Sequence, residues 1–145
     1  MFFVIAAATF LFDRSIKFLI TLALAPAKSI LLIRHFLSLT YVKNYGAAFG
    51  LFSGSGAFLI TVGIIISVVI IFYYFGFHKK ETIYKVSLGL ILGGSLGNLY
   101  DRVFLGYVVD YIDIGIFPVF NFADMMINLG ILLLILKVFI FEGSK

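Results

Sequence analysis

The sequence predicts an all-α membrane protein, four transmembrane helices with a small extracytoplasmic β-rich element. Three observations predict it. The 145 residues are 63% hydrophobic and only 12% charged, with a mean hydropathy of +1.18, whereas a soluble domain usually carries about a quarter charged residues. Four largely apolar stretches, near 2–25, 57–77, 82–102 and 122–141, are long enough to cross about 30 Å of hydrocarbon at ~1.5 Å per residue. Four of the seven acidic residues, Asp101, Asp110, Asp113 and Asp124, crowd between Gly93 and Asp124. Ionisable groups beside apolar spans cost roughly 2.5–3.5 kcal/mol each at a helix centre, so this crowding marks a site. Residues 1–145 read as one integral membrane domain organised around it.

Composition narrows the function classes. The absence of Cys removes disulfides, thiolate nucleophiles and thiolate metal sites together. The net charge of +4 is small and scattered, which points to membrane orientation and contact with anionic lipid and away from nucleic acid. The 18 Phe and 8 Tyr, without Trp, supply bulk and interfacial anchors.

The first stretch, MFFVIAAATFLFDRSIKFLITLALAP, reads as a membrane helix ended by Pro26. A signal peptide would have a shorter apolar core preceded by basic residues, and here DRSIK interrupts the middle. Asp13 and Lys17 stand four apart with the acid first, the favourable order for an intrahelical pair. That pair either eases insertion or supports a site, and Arg14 beside it must find a partner or snorkel. Residues 28–56 form the long region outside the spans. Within it LSLTYV, Leu37 to Val42, alternates like a half-exposed strand, and Asn44 to Gly46 offers a turn, which would account for Asn44 by itself. The preceding SILLIRHF is expected to lie along the membrane surface.

The second span has no charge from Asn44 to His78. Lys79, Lys80 and Lys85 follow as the densest basic cluster, which places this loop and both termini in the cytoplasm and the 28–56 region on the outer face. In the third span Gly89, Gly93 and Gly97 recur every fourth residue, one face open to close helix contact. Asn98, Asp101 and Arg102 share a face at its outer end and are either a self-satisfied polar cap or part of the site. Residues 93–97 also spell GxSxG, but a serine nucleophile elbow needs a strand before the turn and a His, and His35 and His78 fall in loops of opposite sidedness. Tyr107 to Ile112 reads as an extended segment delivering Asp110. Asn121 is a natural N-cap of the fourth span, with Asp124 at N3 completing a capping box; capping by itself would explain both residues.

DRSIK, NYGAAF, GGSLGNLYDRV, VVDYID and FNFAD, in this order and on this layout, resemble the lipoprotein signal peptidases, also called signal peptidase II, a family of intramembrane aspartyl proteases. The resemblance covers nearly the whole chain. It implies an aspartic endopeptidase that removes signal peptides from prolipoproteins just before a diacylglyceryl-modified cysteine, the substrate arriving by lateral diffusion in the bilayer. It implies Asp110 and Asp124 as the catalytic pair, with Asp13, Lys17, Asn44, Gly46, Asn98, Asp101, Arg102, Asn121 and Ala123 as substrate-binding or supporting residues. One Asp takes a proton from water while the other donates to the carbonyl oxygen, without metal or other cofactor. The expected setting is a monomer in the bacterial cytoplasmic (inner) membrane, with membrane lipid as surroundings and the active site near the outer face. Arg14, Met125 and the short link between Asp110 and Asp124 depart from the family pattern, in which Gln and a small hydroxyl residue are usual at the first two positions. A proton-coupled carrier would also set carboxylates in helices but would show inverted repeats, which the two halves lack. A non-catalytic lipid-binding or assembly protein would keep the glycine face and lose an acid.

Overall fold

The computed structural model describes residues 1–24, 29–47, 51–52, 54–76 and 81–142. Pro26, Lys28, His78, Lys79 and Lys80 lie outside the described residues. Four long helices carry a three-stranded antiparallel sheet at one end: α1 (Phe2–Leu24), β1 (Ser29–Ile33), β2 (Leu37–Asn44), α2 (Gly56–Gly76), α3 (Thr82–Phe104), β3 (Val108–Asp113) and α4 (Phe122–Leu136), the last continued by a π-helical turn, Lys137–Glu142. The architecture is mostly helical with a small sheet, as expected, and α3 runs two residues past the anticipated end at Arg102.

Helix α3 is the hub, packing against α1, α2 and α4. Its glycines make this possible. A Cβ on Gly93 would stand 2.5 Å from Ala6 O and 2.6 Å from the Thr9 Cβ, and one on Gly97 would stand 2.5 Å from Asp13 Oδ2. The backbones of α1 and α3 therefore approach as closely as a side-chain-free surface allows. Between the helices Phe2, Ala6, Ile70, Leu88, Ile91 and Leu92 form one apolar core, with the Phe2 ring stacked on Tyr74 at 4.1 Å. Ile20 and Leu24 of α1 form a second core with Val109 and Tyr111 of β3.

Polarity is turned inside out. Asp13, Lys17 and Asp101 are fully buried, whereas Val4, Leu11, Phe18, Leu19 and Leu22 of α1 are 61–70% exposed. Helices α2 and α4 (as Phe122–Phe139) are long and apolar enough to cross a membrane by length and composition. Helices α1 and α3 are as long but carry the charged residues that the bundle buries.

The sheet order is β1-β2-β3. SILLIRHF does not lie as a single surface segment: its first five residues are β1, paired antiparallel with β2, and the chain reverses through His35 at φ 61°. The strand is exposed along its whole length, with Leu31 and Ile33 more than half exposed, so no inside-outside alternation marked it in the sequence. Strand β2 pairs with β3 through Leu39↔Ile112 and then Val42↔Asp110, a one-residue shift that sets Asp110 opposite Val42.

Candidate functional site

The site forms where β3, the loop after it and the start of α4 meet the end of α3. After Asp113 the chain loops out and returns to pair Phe120 with Ile112, through Ile112 N donating to Phe120 O at 2.8 Å and Phe120 N donating to Ile112 O at 3.1 Å. That closure brings the residue after Phe120, and so the start of α4, back beside Asp110. The link between the two acids is therefore a closed loop rather than a slack connection.

Helix α4 then opens with every free N–H satisfied by a side chain. Phe122 N donates to Tyr111 Oη (3.1 Å), Ala123 N to Asp13 Oδ1 (3.1 Å) and Asp124 N to Asn121 Oδ1 (3.0 Å). Asn121 N donates in return to Asp124 Oδ2 at 3.2 Å, completing the capping box. Helix starts leave such donors without intrahelical partners, and here β3, α1 and the N-cap residue supply the acceptors. Burial pushes the Tyr111 phenol pKa up, so it serves as a neutral hydroxyl.

Asn121 is more than a cap. Its Nδ2 donates to Asp110 Oδ1 at 2.6 Å and to Asn98 Oδ1 at 3.2 Å. Asn98 Nδ2 in turn donates to Asp124 Oδ1 at 2.7 Å. The two asparagines thus tie both carboxylates into one network. Asn44 adds a donor to Asp110 Oδ2 at 2.8 Å while its own Oδ1 accepts from Gly46 N at 2.9 Å. The same side chain therefore shapes the turn and reaches Asp110. Arg102 Nη2 donates to Gly46 O at 3.2 Å, anchoring that turn to α3.

Behind this layer lies a buried ionic cluster. Lys17 Nζ contacts Asp13 Oδ2 (3.0 Å), Asp101 Oδ2 (2.9 Å) and Asn98 Oδ1 (2.9 Å). Arg14 pairs with the other oxygen of Asp101 and lies over the Tyr100 ring at 4.4 Å. Asp101 Oδ2 also accepts from Val109 N at 3.2 Å, fixing the backbone next to Asp110. Asp13, Arg14, Lys17 and Asp101 sum to zero formal charge. The polar groups at the end of α3 are accordingly not self-satisfied; Asn98, Asp101 and Arg102 each reach another element.

Both carboxylates line a cavity of about 1090 Å³, together with Asn44, Asn98, Arg102 and apolar residues such as Phe117 and Ile127. Burial pushes Asp110 up to about 6, an effect the Asn44 and Asn121 donors oppose and the Asp124 charge reinforces. Asp113, three residues on, turns away to accept from Gly115 N at 2.8 Å. Every site residue singled out from the sequence falls in this network or directly against it. The sequence reading missed Tyr111, whose hydroxyl caps α4, and Asn128, which lines the cavity one turn beyond Asp124. The helical spacing of four from Asp124 was the available signal for Asn128. Ser95 lies within uninterrupted α3, so GxSxG forms no strand-to-helix elbow. Among the described residues no three His, Asp or Glu side chains converge as metal ligands.

Known proteins resemble this chain in both sequence and fold. The family model described as signal peptidase (SPase) II matches residues 5–140. A lipoprotein signal peptidase of Halothermothrix orenii is 41% identical over 137 residues, spanning 94% of this chain and 93% of that protein. Another, from Desulfitobacterium hafniense, is 47% identical over 125 residues, spanning 86% and 83%. A solved structure described as a bacterial membrane enzyme superposes with a TM-score of 0.88 at 34% identity, covering 98% of this chain and 89% of its own. A second of the same description gives 0.81 at 35% identity, covering 93% and 90%. With its family model matched almost end to end and its fold shared with membrane enzymes, the chain belongs to the signal peptidase II family and is a membrane-bound peptidase.

Proposed function

We propose that the protein cleaves signal peptides from prolipoproteins by activating water between Asp110 and Asp124, as a single 145-residue domain of four transmembrane helices. The observation that carries the reading is the pair of carboxylates on one cavity, held by Asn121 and Asn98. The four-span topology draws support from the apolar exterior of α1 and the burial of its charges, since only a hydrocarbon surrounding favours that distribution. The basic residues around Lys85 then place both termini in the cytoplasm, and the sheet and the site at the outer face of the bacterial inner membrane.

Two carboxylates sharing a partly dehydrated site ionise in steps, one proton being held between them. Asp124 at the N-terminus of α4 gains from the helix dipole, typically about 0.3–1 kcal/mol, whereas Asp110 in β3 is raised to about 6 by burial. Asp124 therefore acts as base and Asp110 as acid. Water attacks the carbonyl carbon before the substrate cysteine while Asp124 takes its proton and Asp110 protonates the carbonyl oxygen. On collapse the C–N bond breaks, Asp124 returns a proton to the leaving amine, and Asp110 recovers one from the gem-diol. With the dyad at one negative charge, Arg102 on the same cavity balances it.

The substrate is a prolipoprotein whose cysteine carries a diacylglyceryl group, entering sideways from the lipid. The cavity's combination of a carboxylate end with Phe117, Val119 and Ile127 suits an acylated peptide. The enzyme acts as a monomer, surrounded by lipid. Incubating the purified protein with a diacylated prolipoprotein tests the reading. Release of the signal peptide is expected from the unmodified enzyme and from Asp113→Asn and Ser95→Ala, and from neither Asp110→Asn nor Asp124→Asn. Cleavage by a folded Asp110→Asn or Asp124→Asn variant would overturn the dyad.

A further inference from the structure

Within α4 one side chain breaks the apolar pattern without serving the network. From Met125 to Leu136 every residue except Gly130 and Asn128 is a large hydrophobe. Asn128 is exposed, and among the described residues its amide makes no hydrogen bond or other polar contact. Its neighbours Met125, Leu129, Ile131 and Leu132 are 41–51% exposed, so the amide sits in an apolar belt. An unpaired amide in such surroundings is costly, and capping, packing and the ionic cluster make no use of it. It does line the cavity that holds Asp110 and Asp124.

We propose that Asn128 binds the backbone of the signal peptide, pairing with one peptide unit about two residues before the scissile bond. This rests on the proposed function. Asn128 lies four residues beyond Asp124 along α4, about 6 Å at ~1.5 Å per residue, and an extended peptide advances ~3.3 Å per residue. Helix α4 runs from the site toward the membrane interior, the direction in which the apolar part of a signal peptide extends. To present its scissile bond between two carboxylates the substrate must unwind locally, which frees N–H and C=O groups in a medium without water to satisfy them. A carboxamide offers both a donor and an acceptor, so it can take whichever group, N–H or C=O, one peptide unit turns toward it. Because the contact is remote from the reacting carbonyl, it forms equally in the ground and transition states and acts on KM rather than kcat.

The test combines Asn128→Leu with diacylated substrates in which an ester replaces the second or the third amide linkage before the scissile bond, each ester removing one N–H donor and weakening one carbonyl acceptor. For Asn128→Leu, kcat/KM is expected to fall roughly 3- to 10-fold, the range for one hydrogen bond between neutral groups, mainly through KM. Thermal stability should hold or rise, since an exposed amide in lipid becomes apolar. One of the two esters should lower kcat/KM of the unmodified enzyme by a similar factor and cause no further loss in the variant. Unchanged kcat/KM in Asn128→Leu, or losses that multiply for both esters, would overturn the assignment. Should the variant not fold, the esters decide on the unmodified enzyme, where the absence of any effect at both linkages overturns it. No cleavage of the all-amide substrate by the unmodified enzyme would overturn the proposed function and this contact with it.

Discussion

Replacing Lys17 by Met isolates what the buried ionic cluster contributes. The Lys17 side chain is fully buried, and its Nζ stands 3.0 Å from Asp13, 2.9 Å from Asp101 and 2.9 Å from the Asn98 carbonyl oxygen. Without it two buried carboxylates lose the cation between them. Asp101 keeps Arg14 and the Val109 N–H, but among the described residues Asp13 keeps only the Ala123 N–H. Removing one partner of a buried ion pair typically costs about 3–5 kcal/mol, because the remaining charge is left uncompensated. Equilibrium unfolding in mixed micelles should show a loss of that size. The double variant Lys17→Met/Asp13→Asn removes the orphaned charge and leaves an oxygen for the Ala123 N–H, so it should be more stable than Lys17→Met despite carrying an extra substitution. Arg14→Met provides the contrast: its side chain is 22% exposed and Asp101 retains Lys17, so a loss of about 1 kcal/mol is expected. A Lys17→Met protein within about 1 kcal/mol of the parent, or a double variant no more stable than the single, would refute the reasoning.

Three further outcomes follow from the same geometry. Asp110 is raised to about 6, so the folded state holds a proton that the unfolded chain gives up near 3.8; its contribution is complete below about 4 and lost as pH rises through about 6. Asp110→Asn, inactive on the proposed mechanism, should therefore be more stable than the parent at pH 8, by up to about 3 kcal/mol, with the gap closing in unfolding titrations taken down to pH 4. Asn121→Ala removes the cap and a donor to Asp110; it should lower stability by about 1–2 kcal/mol and move the alkaline limb of kcat/KM, set near 6 by Asp110, upward, since that donor favours the carboxylate. Gly93→Ala drives a Cβ into the Ala6 carbonyl and Thr9 and should cost about 1–3 kcal/mol in the same unfolding assay, whereas Gly56→Ala meets nothing within 4 Å and should be close to neutral.

The helices and the capped start of α4 were legible because their signals are local, whereas the pairing of Asp110 with Asp124 came from the resemblance and not from spacing. Apolar length marks the helices, a spacing of four marks the Gly89, Gly93 and Gly97 face, and Asn121 with Asp124 is a cap that a few residues define. What escaped was long-range or unpatterned. Strand β1 is exposed along its whole length, so no inside-outside alternation marks Ser29–Ile33. Arg14 finds Asp101 across 87 positions of sequence, and Tyr111 reaches the first N–H of α4 only because Phe120 folds back on Ile112. Asn44 looked like a choice between turn and site, but a side-chain amide has two ends, and the fold uses one for each.

The neutral cluster has a consequence for the order in which the protein is made. Helix α1 brings Asp13, Arg14 and Lys17, an excess of one positive charge, and the counter-charge Asp101 arrives only with α3. At a synthesis rate of about 5–20 residues per second, the 84 residues from Lys17 to Asp101 take roughly 4–17 s. Throughout that interval the nascent first helix holds an unmatched cation on the face that α3 will cover, and its glycine-lined partner surface does not yet exist. On the proposed four-span topology the first helix is thus a conditional resident of the bilayer, settled by a segment translated three-fifths of a chain length later. Any variant that delays α3 leaves α1 waiting, and its defect would surface as poor yield rather than poor catalysis.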